Sequence, residues 1–337
     1  MKRLFWLLLF LAFTWHTVQA QADPRRFTWG AGNMLGAAWD FPTLVKEQRT
    51  HARFVCRVNA AYPGNNQPPV MSVDEPLIRA QIKAAFAAGL KGIIIAVEGT
   101  RQENSALYGS IRASGDASRF DAAYRQAARI ARSYPSTRVM LEIAAGEPGF
   151  TVDAYKYVTT GNKDVYAEAQ RINQVWIDHL VPIIRAEYPR LTLIIPGCSY
   201  STGYGSVNDL LAATKRPPAN AYFSQHWYQM RRYSHNDGVS YPMLKFNWPE
   251  AEWEAKVSAA GEDPNAYAYQ AGYKTWDEAG MAQSMDTALM NANALGGRLY
   301  VAEYGTPAPW RPFASAYLAC VKMLWQKRGV GTCEWRG

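Results

Sequence analysis

The chain has 337 residues, 48% of them hydrophobic, and a formal net charge of +8. That is enough apolar material for a sizeable core, and the length suits one large domain better than two. The basic surplus is scattered, with only short clusters such as Arg25-Arg26 and Arg231-Arg232; it forms no stripe of the kind a nucleic-acid surface requires, so nucleic acid is not expected as a partner.

The first twenty residues read as a targeting segment. Lys2 and Arg3 precede an apolar run, Leu4 to Phe13, and Val18-Gln19-Ala20 is a small-x-small site. This is the pattern of a secretory signal peptide cleaved after Ala20, with Ala22 as the alternative; the apolar core is too short for a comfortable membrane anchor. The mature chain, 21–337, is therefore expected to be secreted or periplasmic, with no stable membrane anchor after cleavage, and to act as a monomer. Cleavage removes Lys2 and Arg3 and lowers the net charge from +8 to about +6 (8 − 2). Four cysteines, Cys56, Cys198, Cys320 and Cys333, allow three pairings. An exported chain can oxidise Cys320 with Cys333, and buried free thiols are the alternative.

Past the leader, apolar and β-branched runs alternate with helical patterns. Phe27 to Gly30 reads as a first strand, followed by Ala31-Gly32-Asn33, and Ala52 to Val58 as a second. Val73 to Ala88 predicts a helix with an acidic first turn, stopped at Gly89. Gly92 to Val97, an unbroken apolar run bounded by Gly99, is a third strand. Asp116 to Ser133 is helical and ends before Pro135; Arg138 to Ile143 is a fourth strand. Asp164 to Glu187 carries Val165, Ala169, Ile172, Val175, Trp176 and Leu180 at helical spacing and ends before Pro189. Leu191 to Ile195 and Ala221 to His226 are the fifth and sixth strands.

A long connection follows, Trp227 to Thr275, with a short helix near Glu250 to Ala259 and aromatics that include Tyr228, Tyr233, Trp248, Trp253 and Tyr273. So aromatic a loop reads as functional rather than disordered. Trp276 to Leu295 is a helix ended by Gly296-Gly297, and Arg298 to Glu303 the seventh strand. Pro312 to Lys327 is a helix ended at Gly329, and Val330 to Trp335 the eighth strand, with Arg336 and Gly337 after it. Eight strands alternating with helices imply parallel β-α-β units that close on themselves. The expected fold is α/β, a single (β/α)8 TIM barrel lacking the usual last helix. No Gly-x-Gly-x-x-Gly follows the first strand, so an open nucleotide-binding sheet is unsupported.

In such a barrel the active site lies at the C-terminal ends of the strands. The polar residues there are Arg57 and Asn59 on the second strand, Glu98 after the third and Glu147 after the fourth. Ser199 and Tyr200 follow the fifth, His226-Trp227-Tyr228 the sixth, Glu303 ends the seventh and Glu334-Trp335 the eighth. A strand that stops at an acid and is broken by Gly305 and Pro307 holds a carboxylate firmly while leaving room beyond it. Glycoside hydrolysis needs two carboxyl groups flanking one bond. Acids on the fourth and seventh strands face each other across a barrel mouth, which points to Glu147 as acid/base and Glu303 as nucleophile, about 5 Å apart as in retaining enzymes. Arg57 is expected to hold Glu303 ionised, and Trp335 to offer a flat apolar face to a sugar ring. Glu142, inside its strand, is expected to be buried and hydrogen-bonded.

These residues resemble the cellulase-type family 5 of glycoside hydrolases. Arg57 stands where that family has a strand-two arginine. Glu142-Ile143-Ala144 with Glu147-Pro148 looks like its strand-four motif, and His226-Trp227-Tyr228 is similar to its His-x-Tyr. Ala302-Glu303-Tyr304-Gly305 looks like its nucleophile motif, and Trp335 matches its strand-eight tryptophan. The resemblance spans essentially the whole mature chain and implies a retaining β-glycosidase acting on a polysaccharide or oligosaccharide without a cofactor. In it Glu147 and Glu303 are catalytic, and Arg57, Glu98, His226, Tyr228 and Trp335 bind substrate or tune the nucleophile. Two departures mark a divergent member. Gly146 replaces the asparagine before the acid, with one residue inserted ahead of it. The third strand carries Glu98-Gly99-Thr100 in place of a histidine, so Glu98 is a candidate for a substrate contact or for proton donation.

Other chemistries lack their signatures. His51, His179, His226 and His235 show no metal-ligand spacing. No Gly-x-Ser-x-Gly elbow is present. The alternative of a different class is a catalytically inactive barrel that binds glycan, suggested by the altered fourth-strand motif.

Overall fold

In the computed structural model, eight parallel strands follow one another round a closed ring. The residues described are 31–35, 40–61, 70–98, 115–143, 175, 177–196, 218–227, 250–259, 278–294, 297–305 and 311–335. The strands are β1 (Ala31–Leu35), β2 (His51–Ala61), β3 (Val70–Val73), β4 (Gly92–Glu98), β5 (Val139–Ile143), β6 (Thr192–Pro196), β7 (Ala221–His226), β8 (Leu299–Gly305) and β9 (Gly331–Trp335). The ring runs β1-β2-β4-β5-β6-β7-β8-β9 and closes because β1 is parallel to both neighbours, with Gly32 opposite His51 on one side and Cys333 on the other. It is a (β/α)8 barrel.

Helices α1 (Phe41–Lys46), α2 (Glu75–Ala87), α3 (Asp121–Arg132), α4 (177–187), α5 (Glu250–Ala259), α6 (Glu278–Ala294) and α7 (Arg311–Lys327) lie between the strands in sequence. No described helix is long and apolar enough to cross a membrane. Residues 1–20 and most of the aromatic connection lie outside the described residues.

Several boundaries differ from the sequence reading; the helix expected from Asp116, for one, starts at Asp121 after a single tighter turn at Ser118–Phe120. The first strand is Ala31–Leu35, later than Phe27 to Gly30, which lies outside the described residues. Its small residues have weak strand preference, and its pairing with β2 and β9 fixes its place. The helix expected from Val73 starts at Glu75. Asp74 caps it by accepting from the Leu77 amide at 3.0 Å, and Pro76 sits in its first turn. Val70–Val73 is instead a ninth strand, antiparallel to the far end of β2.

The strands alternate between two apolar layers. Ile93, Ile95 and Val97, with Leu141, Ile143, Leu193 and Ile195, face the helices. Ile94, Met140, Ile194, Tyr222, Tyr300, Ala302 and Cys333 fill the barrel interior. Cys56, Cys320 and Cys333 are buried free thiols. Cys320 belongs to the helix-facing layer and Cys333 to the interior, so the sheet separates them. Burial raises the thiols, to about 12 for Cys56 and about 11 for Cys320, which makes them inert.

The barrel's lower interior is polar. His51 is fully buried, with Nε2 2.8 Å from Tyr300 Oη. Burial, then the charge of Arg49, pushes His51 down to about 3. The folded state thus holds a neutral imidazole, whereas the unfolded chain takes up a proton below about 6.5. The stability this contributes is present above that value and is lost as pH falls toward 3. The difference in urea-unfolding free energy between wild type and His51→Gln is therefore expected to shrink by on the order of 4 kcal/mol across that window. A pH-independent difference would show that His51 takes up a proton as readily inside the barrel as in the unfolded chain.

At the other end, β8 and β9 approach closely. A Cβ on Gly305 would lie 2.3 Å from the Trp335 carbonyl oxygen, which is backbone and cannot rotate away. Gly305→Ala is expected to cost about 1–3 kcal/mol in urea denaturation. No loss would mean that the two strands part freely at the mouth.

Candidate active site

Glu303 lies near the C-terminal end of β8, where the pairing is irregular. Opposite β7, Gln225 faces Val301 and His226 faces Glu303. Opposite β9, Thr332 faces Val301 and Glu334 faces Tyr304. On both sides β8 carries one residue more than its neighbour, which defines a β-bulge. Strict alternation would send Glu303 to the face opposite Tyr300 and Ala302, toward the helices. The extra residue turns it inward. Its backbone remains tied to β7, where the Trp227 amide donates to the Glu303 carbonyl at 2.8 Å.

Inside, Glu303 meets a guanidinium. Arg53 Nη1 donates to Glu303 Oε1 at 2.7 Å, while Nε and Nη2 donate to the two oxygens of Glu142 at 2.5 and 3.1 Å. His226 Nδ1 lies 3.5 Å from Glu303 Oε2. The three strands responsible are β2, β5 and β8, and the side chains are graded in depth. Arg53 is 0% exposed, Glu142 1% and Glu303 11%. Of the two acids, only Glu303 reaches toward solvent, so Glu303 is the one that can touch a substrate.

Burial opposes the charge on Arg53, but Glu142 and Glu303 together outweigh it and hold the guanidinium well above its ordinary value. Glu142 is pushed up by burial, with Arg53 opposing and the Glu303 charge adding to the rise. Two carboxylates share one cation, so the pair repels itself across Arg53. Such a site can present an oriented, partly neutralised carboxylate to an electrophilic carbon arriving from the mouth.

Arg53 takes the part expected of Arg57. Both are inward positions of β2, four residues apart, but Arg57 lies two repeats of the alternation nearer the mouth and is exposed. Arg57 is aligned with Glu98 of β4, which is half-buried. Both lie nearer the C-terminal end of the strands than Arg53. Trp335 is half-buried at the end of β9, opposite Gly305. Glu334 points away from the mouth and forms an ion pair with Arg49, so the candidate contact there is structural. Glu142 is buried and hydrogen-bonded as expected. Glu147 and Tyr228 lie outside the described residues, as does the expected spacing between Glu147 and Glu303. Among the described residues no group of three or more His, Cys, Asp or Glu is disposed to hold a metal ion.

The signal for Arg53 was present in the sequence. Arg53 and Glu142 are both charged residues in the middle of strands whose neighbours are apolar, and a charge in that setting must find a partner.

No family model matches the chain, and no curated protein matches it. Solved structures do. An endoglucanase superposes with a TM-score of 0.60 at 14% identity, over 92% of this chain and 89% of the other. Cel5A of Thermotoga maritima, solved with mannotriose, gives 0.59 at 16% identity over 93% and 91%. The cellulose synthase subunit Z of Clostridioides difficile gives 0.59 at 14% identity over 92% of each chain. The chain has the barrel fold of family 5 endoglucanases. At such identities the likeness is one of fold, and the chemistry rests on the side chains just described.

Removing the shared cation tests the arrangement. Arg53→Met would leave two buried carboxylates without it, and is expected to cost about 3–5 kcal/mol at neutral pH. Without Arg53 both acids would bind protons more tightly folded than unfolded, so the deficit should grow as pH rises from about 4 to 8. Urea denaturation at several pH values measures it. A deficit that shrinks with pH would contradict the shared-cation geometry.

Proposed function

We propose that the chain is an exported, monomeric retaining glycoside hydrolase that cleaves β-glycosidic bonds in a polysaccharide or oligosaccharide. The observation that carries this reading is Glu303. It is an anion turned into the barrel by a bulge, fixed by Arg53, and the more accessible of the two acids. The likeness in fold to endoglucanases, one of them solved with a mannotriose substrate, supports the choice of sugar chemistry.

In the proposed reaction a Glu303 oxygen attacks the anomeric carbon as the bond to the leaving oxygen breaks. Glu147 gives its proton to that oxygen. Glu147, now ionised, takes a proton from water, whose oxygen displaces Glu303 and regenerates both acids. Arg53 holds Glu303 in line, and His226 limits rotation of its second oxygen. Arg57 and Glu98 at the mouth, with Tyr228 and Trp335, contact the sugar; Trp335 offers its ring face. No cofactor enters this scheme. Gly146, where the resembling family has asparagine, favours one competing reading, a barrel that binds glycan without cleaving it.

Reducing-end release from a panel of β-glucans, mannans, xylans and exopolysaccharides decides between them. Wild-type release that falls at least about a thousandfold in Glu303→Gln is expected. That variant leaves Arg53 paired with Glu142, so it should fold. Release that persists in Glu303→Gln would remove Glu303 as nucleophile. Binding without release by folded wild type would favour the inactive barrel.

A further inference from the structure

The division of Arg53 between two acids is unequal. Glu142 takes the two-pronged face of the guanidinium, through Nε and Nη2, and Glu303 receives one bond, from Nη1. A planar fork gripped on one edge by a carboxylate is fixed in orientation, so Glu142 sets the plane from which Nη1 reaches Glu303. It also decides how much of the cation the outer acid obtains. An acid that held the whole fork would be a stable anion and a weak nucleophile.

We infer that Glu142 is a positioning residue for Glu303: it occupies two of the donors of Arg53, orients the third, and keeps the outer carboxylate only partly neutralised. This rests on the reading of Glu303 as the nucleophile. Glu142 is 1% exposed and lies behind Arg53, so it acts through the guanidinium and not on substrate.

The other ionisable groups around the pair are known among the described residues. Arg53 comes from β2, His226 from β7, Tyr300 from β8 and Cys333 from β9. Burial is the first cause that raises both Tyr300 and Cys333, so both stay neutral across the working range. His226 touches Glu303 and adds its own charge when protonated. Arg57 and Glu98 lie further toward the mouth. Replacing Glu142 with glutamine removes a buried negative charge and returns Arg53 to Glu303, and the outer acid should then ionise more easily.

The test is the pH profile of kcat/KM for Glu142→Gln beside wild type. The acid limb is expected to move to lower pH by on the order of one pH unit. At the plateau kcat should fall roughly tenfold while KM changes by less than about twofold. A purely structural role would lower the melting temperature and leave the acid limb in place, which would overturn the inference.

A second readout needs no turnover. With 13C-labelled glutamate carboxyls, the Glu303 signal is assigned by its loss in Glu303→Gln, and its titration should move down in Glu142→Gln. That shift without hydrolysis of any glycan would sustain the coupling of Glu142 to Glu303 and remove the hydrolase reading. Should Glu142→Gln fail to fold, coupling is reciprocal. The Glu142 carboxyl should then titrate lower in Glu303→Gln than in wild type, and an unchanged titration overturns the inference.

Discussion

A guanidinium buried inside a barrel must be surrounded by anions, and the interior of this protein is built on that requirement. Arg53 is fully buried and bonded to Glu142 and Glu303. Each of the three comes from a different strand of the ring. Their mutual bonds therefore fix how β2, β5 and β8 stand relative to one another as well as the carboxylate at the mouth. Below them His51 and Tyr300 form a neutral hydrogen-bonded pair, and the apolar interior residues fill the space between. The barrel is thus closed by apolar packing on its outer layer and pinned by polar contacts along its axis.

The same contacts set the two acids of the pair apart. Glu142 and Glu303 share a cation, yet only Glu303 is reachable. The difference is geometric: Glu142 sits within a regular strand, while Glu303 occupies a bulge at the strand end. A bulge costs ladder hydrogen bonds but re-aims a side chain. Here it turns toward the mouth an acid that regular alternation would have sent into the helix layer. Gly305, pressed against the Trp335 carbonyl, lets β8 and β9 stay close just beyond the bulge. A mouth with Arg57, Glu98 and Trp335 near its rim and a fixed anion inside agrees with the proposed hydrolase, and the barrel shares its fold with endoglucanases.

Seven of the eight barrel strands, most of the helices between them and the acid at the end of β8 were legible in the amino-acid sequence; the first strand was expected four residues too early. Those signals are local: apolar runs of strand length, helical spacing and stops at Gly89, Pro135, Pro189 and Gly329 depend on neighbours a few residues away. Val70–Val73 was not legible. A four-residue strand after Pro68-Pro69 exists because the overhanging end of β2 offers it hydrogen bonds, and that partner is defined only by the fold.

The candidate site divides along the same line. Glu303 and His226, which the structure brings together, stood out by their positions at strand ends, a property of the sequence itself. Choosing Arg53 over Arg57 as the partner of Glu303 required tertiary structure. Both arginines occupy the same face of one strand, and only the tilt and stagger of the neighbouring strands determine which lies at the depth of Glu142. The inward turn of Glu303 is likewise decided by register against β7 and β9. The sequence by itself determined most of the elements and which acid ends β8. Only the tertiary structure decided which charges meet, because ion pairing in a barrel depends on the depth of side chains on strands far apart in the chain.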